Sequence, residues 1–291
     1  MQLKFGSYPV VIASSPEIVK QILRTHDHVF ASRPQTAAGK YTTYNYLNST
    51  RAPHGPYWRQ GRKFYLSELF NSKRLDSFEI VLGKKYFSVS EFETSIVTLD
   101  EFQEMLDELF LLNGVLNIGD WIPWLEFLDL QGYVKRMKSL KEKFDRFHDH
   151  VFGEHRANKE GVKDFVPKDM VDVLLKLADD PNIEVKLNYD SVKGFTQDLI
   201  AGGTDTSATI VEWAMSELMK QPHLIEMATE ELDREGGCAL VIANMLHGFN
   251  WKLPENMKPE DLSMDEVYGL ATPRKFPLVA IAEPRLPIHL Y

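Results

Sequence analysis

A mainly α protein with small β-sheets, forming a single domain over residues 1–291, is the fold class that this sequence predicts. Three observations predict it. Residues 194 to about 234 keep helical character, with Ile200, Ile210, Trp213, Ala214 and Leu218 spaced as on a long buried helix. Shorter amphipathic stretches occupy residues 98–112, 132 to about 155, and 170–177. Runs of β-branched and aromatic residues are short, at 8–13 and in pieces around 249–251 and 276–283. With 44% hydrophobic and 26% charged residues, the chain can bury a sizeable core.

The elements follow in order. After the run at 8–13 come Ser15 as N-cap, Pro16 at the first helical position and Glu17 in the first turn, so a strand passes directly into a helix. Ile18, Val19, Ile22 and Leu23 carry that helix to about His26. Residues 36–51, with Tyr41, Tyr44 and Tyr46, read as polar, irregular loop. Pro56 opens a helix bearing Trp58, Arg59, Arg62 and Lys63. Trp58 and Arg62 stand four apart on one face, where an indole N–H and a guanidinium can meet one acceptor. A salt-bridged surface helix explains that pair equally well, and Arg59 and Lys63 are outward charges for an acidic partner or for solvent.

Between the helices at 98–112 and 132–155, residues 117–130 crowd Trp121, Ile122, Trp124, Leu125, Phe127 and Leu128 into a connection broken by Pro123. This is a lid or interface-dipping loop, or else core packing. His148 and His150 project from different sides of a helix, and His148 and His155 are two turns apart. The three histidines therefore read as a solvated face, and no metal site is assigned. Residues 161–167 form a linker, the helix at 170–177 follows, and Gln221-Pro222 breaks the chain before the helix at 225–234.

Gly202 and Gly203 fall in the middle of the longest helical stretch, where each costs about 1 kcal/mol relative to alanine. Their missing Cβ atoms let a flat group or ligand approach the backbone. Thr204, Asp205, Thr206 and Ser207 follow at once, and such hydroxyls bond back to the preceding turn and distort a helix. A glycine-weakened core helix is the plainer reading of the same residues.

The string Ala201-Gly202-Gly203-Thr204-Asp205-Thr206-Ser207 resembles the central-helix signature of the cytochrome P450 haem-thiolate monooxygenases, Ala/Gly-Gly-x-Asp/Glu-Thr-Thr/Ser. Other segments resemble plant members of that family in the expected order: Ser32-Arg33-Pro34, Tyr57-Trp58-Arg59-Gln60-Gly61-Arg62-Lys63, Asn244-Met245-Leu246-His247-Gly248-Phe249-Asn250-Trp251, and Thr272-Pro273-Arg274-Lys275-Phe276-Pro277. The resemblance implies a truncated cytochrome P450-like fold, haem as cofactor, and hydroxylation of a small, largely apolar plant metabolite. It implies Trp58 and Arg62 at a haem propionate, Gly202 and Gly203 where the backbone meets the porphyrin, Asp205 as a proton relay and Thr206 as the hydroxyl that orients those protons. It further implies electrons from an NADPH-cytochrome reductase, and an endoplasmic reticulum location on the cytosolic face. Residues 117–130 then cover the substrate channel and face the bilayer.

The match to the family pattern is incomplete. Its usual membrane anchor and proline-rich hinge are absent, and the chain starts within the first sheet. Leu75-Asp76-Ser77-Phe78-Glu79 runs straight into Ile80-Val81-Leu82-Gly83, where related chains keep a long helical segment. A second joint stands at Glu235-Gly236-Gly237-Cys238, where the family's Glu-x-x-Arg helix and its cysteine loop are missing. Glu231 and Arg234 match Glu-x-x-Arg only by chance, at the end of the preceding helix. The thiolate that holds haem iron needs the loop Phe-x-x-Gly-x-Arg-x-Cys-x-Gly, and no residue flanking Cys238 fits it. A non-catalytic remnant that packs as a helical module is therefore the alternative to an enzyme.

Composition excludes other classes. A formal charge of -9 and a pI near 5.5 argue against a nucleic-acid partner, since phosphate binding needs concentrated Lys and Arg. The single cysteine rules out an intrachain disulfide, and no apolar run of membrane-spanning length occurs.

Overall fold

The computed structural model describes residues 1–69, 82, 96–160, 162, 165–235, 241–254 and 257–287. Both apparent joints, at 75–87 and 235–238, lie wholly or largely outside these residues. The described residues divide into two compact units, Met1–Ala201 and Gly202–Tyr291.

The first unit begins with a hairpin, β1 (Gln2–Phe5) against β2 (Tyr8–Val11), antiparallel, with Leu3 opposite Val10. Gly6 makes the turn at φ 55°, left-handed backbone that glycine adopts without Cβ strain. α1 (Pro16–Lys20) starts as expected: the Ser15 side chain accepts the Ile18 N–H, and Pro16 occupies the first helical turn. A π-helical turn, Gln21–Thr25, and a short α2 (Asp27–Phe30) complete it.

Residues 36–51 are more ordered than a polar loop. Thr36 caps α3 (Ala37–Thr42) by accepting the Gly39 N–H, and Asp120 accepts the Ala37 N–H at 2.7 Å. Tyr44, Asn45 and Tyr46 then take left-handed φ of 53°, 59° and 63°. Each costs about 1–2 kcal/mol, offset here by packing and hydrogen bonds. Tyr44 is buried with its hydroxyl 3.0 Å from His148 Nδ1, and the Tyr46 hydroxyl donates to the Thr36 carbonyl at 2.9 Å.

α4 (Pro56–Phe64) continues as a π turn, Tyr65–Leu69. The core beside it is built from α5 (Leu99–Gly114), capped by Thr98, and, past the small α6 (Ile118–Trp121) that buries no residue, from α7 (Tyr133–Lys159) with α8 (Met170–Asp179). Phe102, Met105, Leu106, Leu109 and Leu112 form the buried stripe of α5 at the spacing of one helical face. Met137, Leu140, Phe144, Phe147, Val151 and Phe152 of α7 and Val171, Leu174 and Leu175 of α8 join the same cluster. Full burial of each such side chain contributes about 1.5–3 kcal/mol.

α9 (Tyr189–Lys220) is the longest helix, 32 residues, and the unit boundary falls within it. Its first turns are buried through Ser191, Val192, Phe195, Thr196 and Ile200. Two glycines allow close contact in this region. A Cβ on Gly61 of α4 would strike the Phe195 ring, and one on Gly194 would strike the Leu47 carbonyl.

In the second unit, α9 runs on to Lys220, followed by α10 (Pro222–Glu235) and α11 (Val241–Gly248). β3 (Phe249–Lys252) pairs antiparallel with β4 (Ile281–Pro284), with Trp251 opposite Ala282. The mainly α architecture with small β-sheets is thus as the sequence reads. Burial of the longest helix differs, because residues 202–204, 206–208 and 210 are exposed. Glycine, serine, threonine and alanine offer little apolar area to drive burial, and even Ile210 is 65% exposed.

Candidate functional site

Trp58 and Arg62 are positioned by what fixes α4. Buried Gln60 exchanges two hydrogen bonds with the Val185 backbone, donating to its carbonyl and accepting its N–H at 2.8 Å. The Tyr57 ring stacks on Phe195 at 5.7 Å and its hydroxyl donates to the Leu47 carbonyl at 3.0 Å. These contacts fix the inner face and leave the opposite face outward. There the Arg62 guanidinium lies over the Trp58 indole at 5.2 Å, and His54 meets that ring edge-on at 5.3 Å. The expected shared face is present, but the two groups stack on each other rather than aim at one acceptor. Among the described residues no carboxylate pairs with Arg62, and its exposed N–H edge suits an external carboxylate.

The centre of α9 carries Gly202, Gly203, Asp205 and Thr206. The helix stays α-helical through all four. The Thr206 hydroxyl donates to the Gly202 carbonyl at 2.5 Å, the back-bond to the preceding turn that the sequence reading anticipates. That leaves the oxygen's lone pairs to accept from another donor. Asp205 is half-buried, one position before it. A Cβ built on either glycine meets nothing within 4 Å, so neither is required by packing of the described residues. Open backbone, an acceptor hydroxyl and a carboxylate share one stretch of helix.

Two further groups escape the sequence reading. Asp198, on the buried part of α9, accepts from Asn48 Nδ2 at 2.6 Å, the Ser49 N–H at 2.7 Å, the Thr50 N–H at 3.1 Å and Thr50 Oγ1 at 2.9 Å. It ties down the loop that leads into α4, while burial pushes its pKa up to about 6 against those donors. Buried Arg274 in the second unit lies over the Trp213 ring at 5.6 Å and donates to the Ser263 carbonyl at 2.7 Å. Trp213 in turn donates to the Thr272 carbonyl at 3.1 Å. Only the carboxylate of Asp198 within an apolar stretch signals the first in sequence, and nothing local signals the second.

Residues 117–130 resolve into two parts. Trp121 is half-buried, with Phe5 and Tyr8 edge-on at 5.2 and 6.3 Å. Past Pro123 a 3-10 turn, Pro123–Leu128, presents Trp124 at 72% and Phe127 at 81% exposure. Trp121 thus packs on the N-terminal hairpin, while Trp124 and Phe127 stay exposed, and none of these three aromatics joins the core cluster. The histidines differ from expectation too: His148 and His155 are buried, because they continue the apolar stripe of α7.

Solved structures share this architecture. A zebrafish cytochrome P450 crystallised with progesterone superposes with a TM-score of 0.62 over 81% of this chain and 60% of its own, at 19% identity. The cytochrome P450 family model matches residues 1–89 and 79–237, and the chain belongs to that family. Among curated relatives, the trimethyltridecatetraene synthase of Zea mays is 32% identical over 459 aligned positions, covering 100% of this chain and 83% of that protein. A flavonoid 3'-monooxygenase of Crocosmia x crocosmiiflora is 35% identical across 80% of this chain and 52% of its own length. The chain spans about half the length of several of these plant relatives.

An alignment of 459 positions to 291 residues opens long gaps on this chain's side. The family match changes segment at 79–89 and ends at 237. Those places coincide with the two joints read from the sequence.

Proposed function

We propose that this chain is a plant cytochrome P450 monooxygenase that retains the oxygen-side helix and the propionate contacts but lacks the thiolate that would hold the iron. The reading rests on Gly202 and Gly203: two helix-weakening glycines that no described side chain needs, beside Asp205 and Thr206. Haem held by a thiolate supplies oxygen activation in this family. The residues present fit that group on one side only. Gly202 and Gly203 leave room for a flat ring, and Arg62 offers a fork for a carboxylate. Cys238, the single cysteine, lies outside the described residues and has none of the loop's neighbours in sequence.

Within a complete protein, Thr206 Oγ1 would accept a hydrogen bond while donating to the Gly202 carbonyl, and Asp205 would pass protons from solvent. The substrate is a small apolar plant metabolite and the electron source an NADPH-dependent reductase. A chain with the segments at the two joints restored from a relative tests the roles. Replacing Asp205 by Asn or Thr206 by Ala there should lower product formed per NADPH consumed by tenfold or more, on the scale of general acid–base assistance of about 10²–10⁴. Unchanged coupling in both variants assigns the motif a structural role.

The non-catalytic reading is favoured for the polypeptide as it stands by the same missing loop. A lipid-facing role for residues 117–130 rests on exposed Trp124, Phe127, Leu128 and Leu130 with Lys135 and Lys138 adjacent. No helix among the described residues is long and apolar enough to cross a membrane. Flotation with anionic vesicles should fall several-fold on replacing Trp124 and Phe127 by Ser, and equal flotation removes the lipid role.

A further inference from the structure

α7 and the start of α8 bring three side chains to one buried point, with His155 8%, Asp169 4% and Asp172 7% exposed. Asp169 is the N-cap of α8, and its Oδ1 accepts the Asp172 N–H at 3.0 Å. Asp172 Oδ2 accepts the Lys168 N–H at 3.0 Å. Asp169 Oδ2 and Asp172 Oδ1 lie 3.6 and 2.9 Å from one atom, Nδ1 of His155. Across the ring, Nε2 faces the Leu82 carbonyl at 3.3 Å. A carbonyl only accepts, so in the tautomer whose Nε2–H meets Leu82 the Nδ1 lone pair faces Asp172 Oδ1, and in the other tautomer Nδ1 donates to it. Three buried donor atoms therefore converge on one point, an arrangement that a bound cation satisfies.

We propose that His155, Asp169 and Asp172 form a binding site for a divalent transition metal ion of the zinc type. The ligand atoms are His155 Nδ1, Asp169 Oδ2 and Asp172 Oδ1, which all lie within 4.8 Å of one another. Two atoms each about 2.1 Å from an ion stand about 3.0 Å apart at a right angle and about 3.4 Å apart at the tetrahedral angle, close to the distances found. A neutral imidazole with two carboxylates balances a divalent charge. The Leu82 carbonyl takes the place of the outer-shell acceptor that fixes a metal-bound imidazole. A cavity of about 340 Å³, lined by His155 and Asp172 with Lys159 and Lys176, provides access and room for water as a further ligand. The ion joins α7 to the first turn of α8.

The test treats the purified chain with a chelator, then titrates it with Zn²⁺ by calorimetry and with Co²⁺ by visible absorption. Asp169→Ser keeps a capping hydroxyl on α8 but removes a ligand and a charge. The expected result is uptake of about one equivalent by the unaltered chain, with affinity lowered at least tenfold in D169S at unchanged helix content. Cobalt bands in the unaltered chain read the ligand set without any variant. No uptake, no cobalt bands, or equal uptake in both chains overturns the site and leaves a direct His155–Asp172 hydrogen bond in its place.

Discussion

His148 is 0% exposed, stacked between Phe144 and Phe152 at 6.0 and 5.6 Å, with Nδ1 against the Tyr44 hydroxyl and no partner at Nε2. Burial, aided by the Lys193 charge, lowers its pKa from 6.5 to about 3. Between those values the unfolded chain binds the proton and the folded chain does not. Stability is therefore complete above about pH 6.5 and falls with pH at about 1.4 kcal/mol per unit, or about 2 kcal/mol by pH 5. Denaturant titrations at pH 7 and 5 should show His148→Phe losing that increment, since an aromatic ring of similar size fits between the same two rings. An identical pH dependence in both chains removes the buried neutral imidazole from the explanation. The signal for this residue was present in sequence. Met137, Leu140, Phe144, His148, Val151 and His155 recur at three and four residues, so both histidines sit on the apolar stripe, although interspersed Lys, Arg and Asp mask it. The partners were not legible, because Tyr44 and Asp172 approach from other elements.

At the scale of elements, glycine serves two ends along α9. Gly194 faces the Leu47 carbonyl, so Gly194→Ala should cost about 1–3 kcal/mol through overpacking against backbone. Gly202→Ala with Gly203→Ala places two methyl groups in open space and should stabilise this chain by up to about 2 kcal/mol, from helix propensity alone. Thermal unfolding of the two variants checks the contrast. A loss of stability in the double alanine variant would show that packing, rather than room for a ligand, retains the pair. Periodicity made α1, α5, α7 and α8 legible, and Ser15 is itself the capping residue found, whereas the cap at Thr98 was not read from sequence. α3 was not legible, because its burial rests on long-range partners such as Asp120 and Asn113 rather than on its own pattern. The exposure of residues 202–210 was hidden for the converse reason: helical spacing reports a helix, and burial depends on what else the chain supplies.

For the molecule as a whole, the two joints decide between enzyme and remnant. The family match breaks at 79–89 and stops at 237. Motif order made the family legible from residues alone, while the positions of Trp58 and Arg62 needed the structure, because their stacking follows from how Gln60 and Tyr57 fix the opposite face of α4. The most direct measurement is the reduced carbon monoxide difference spectrum of residues 1–291 expressed and supplied with haem, beside the same spectrum of the chain with both joints restored. The expected result is a thiolate-type Soret band in the restored chain only. A clean thiolate-type band in residues 1–291, abolished by Cys238→Ser, would contradict it and make this polypeptide a complete haem-thiolate centre.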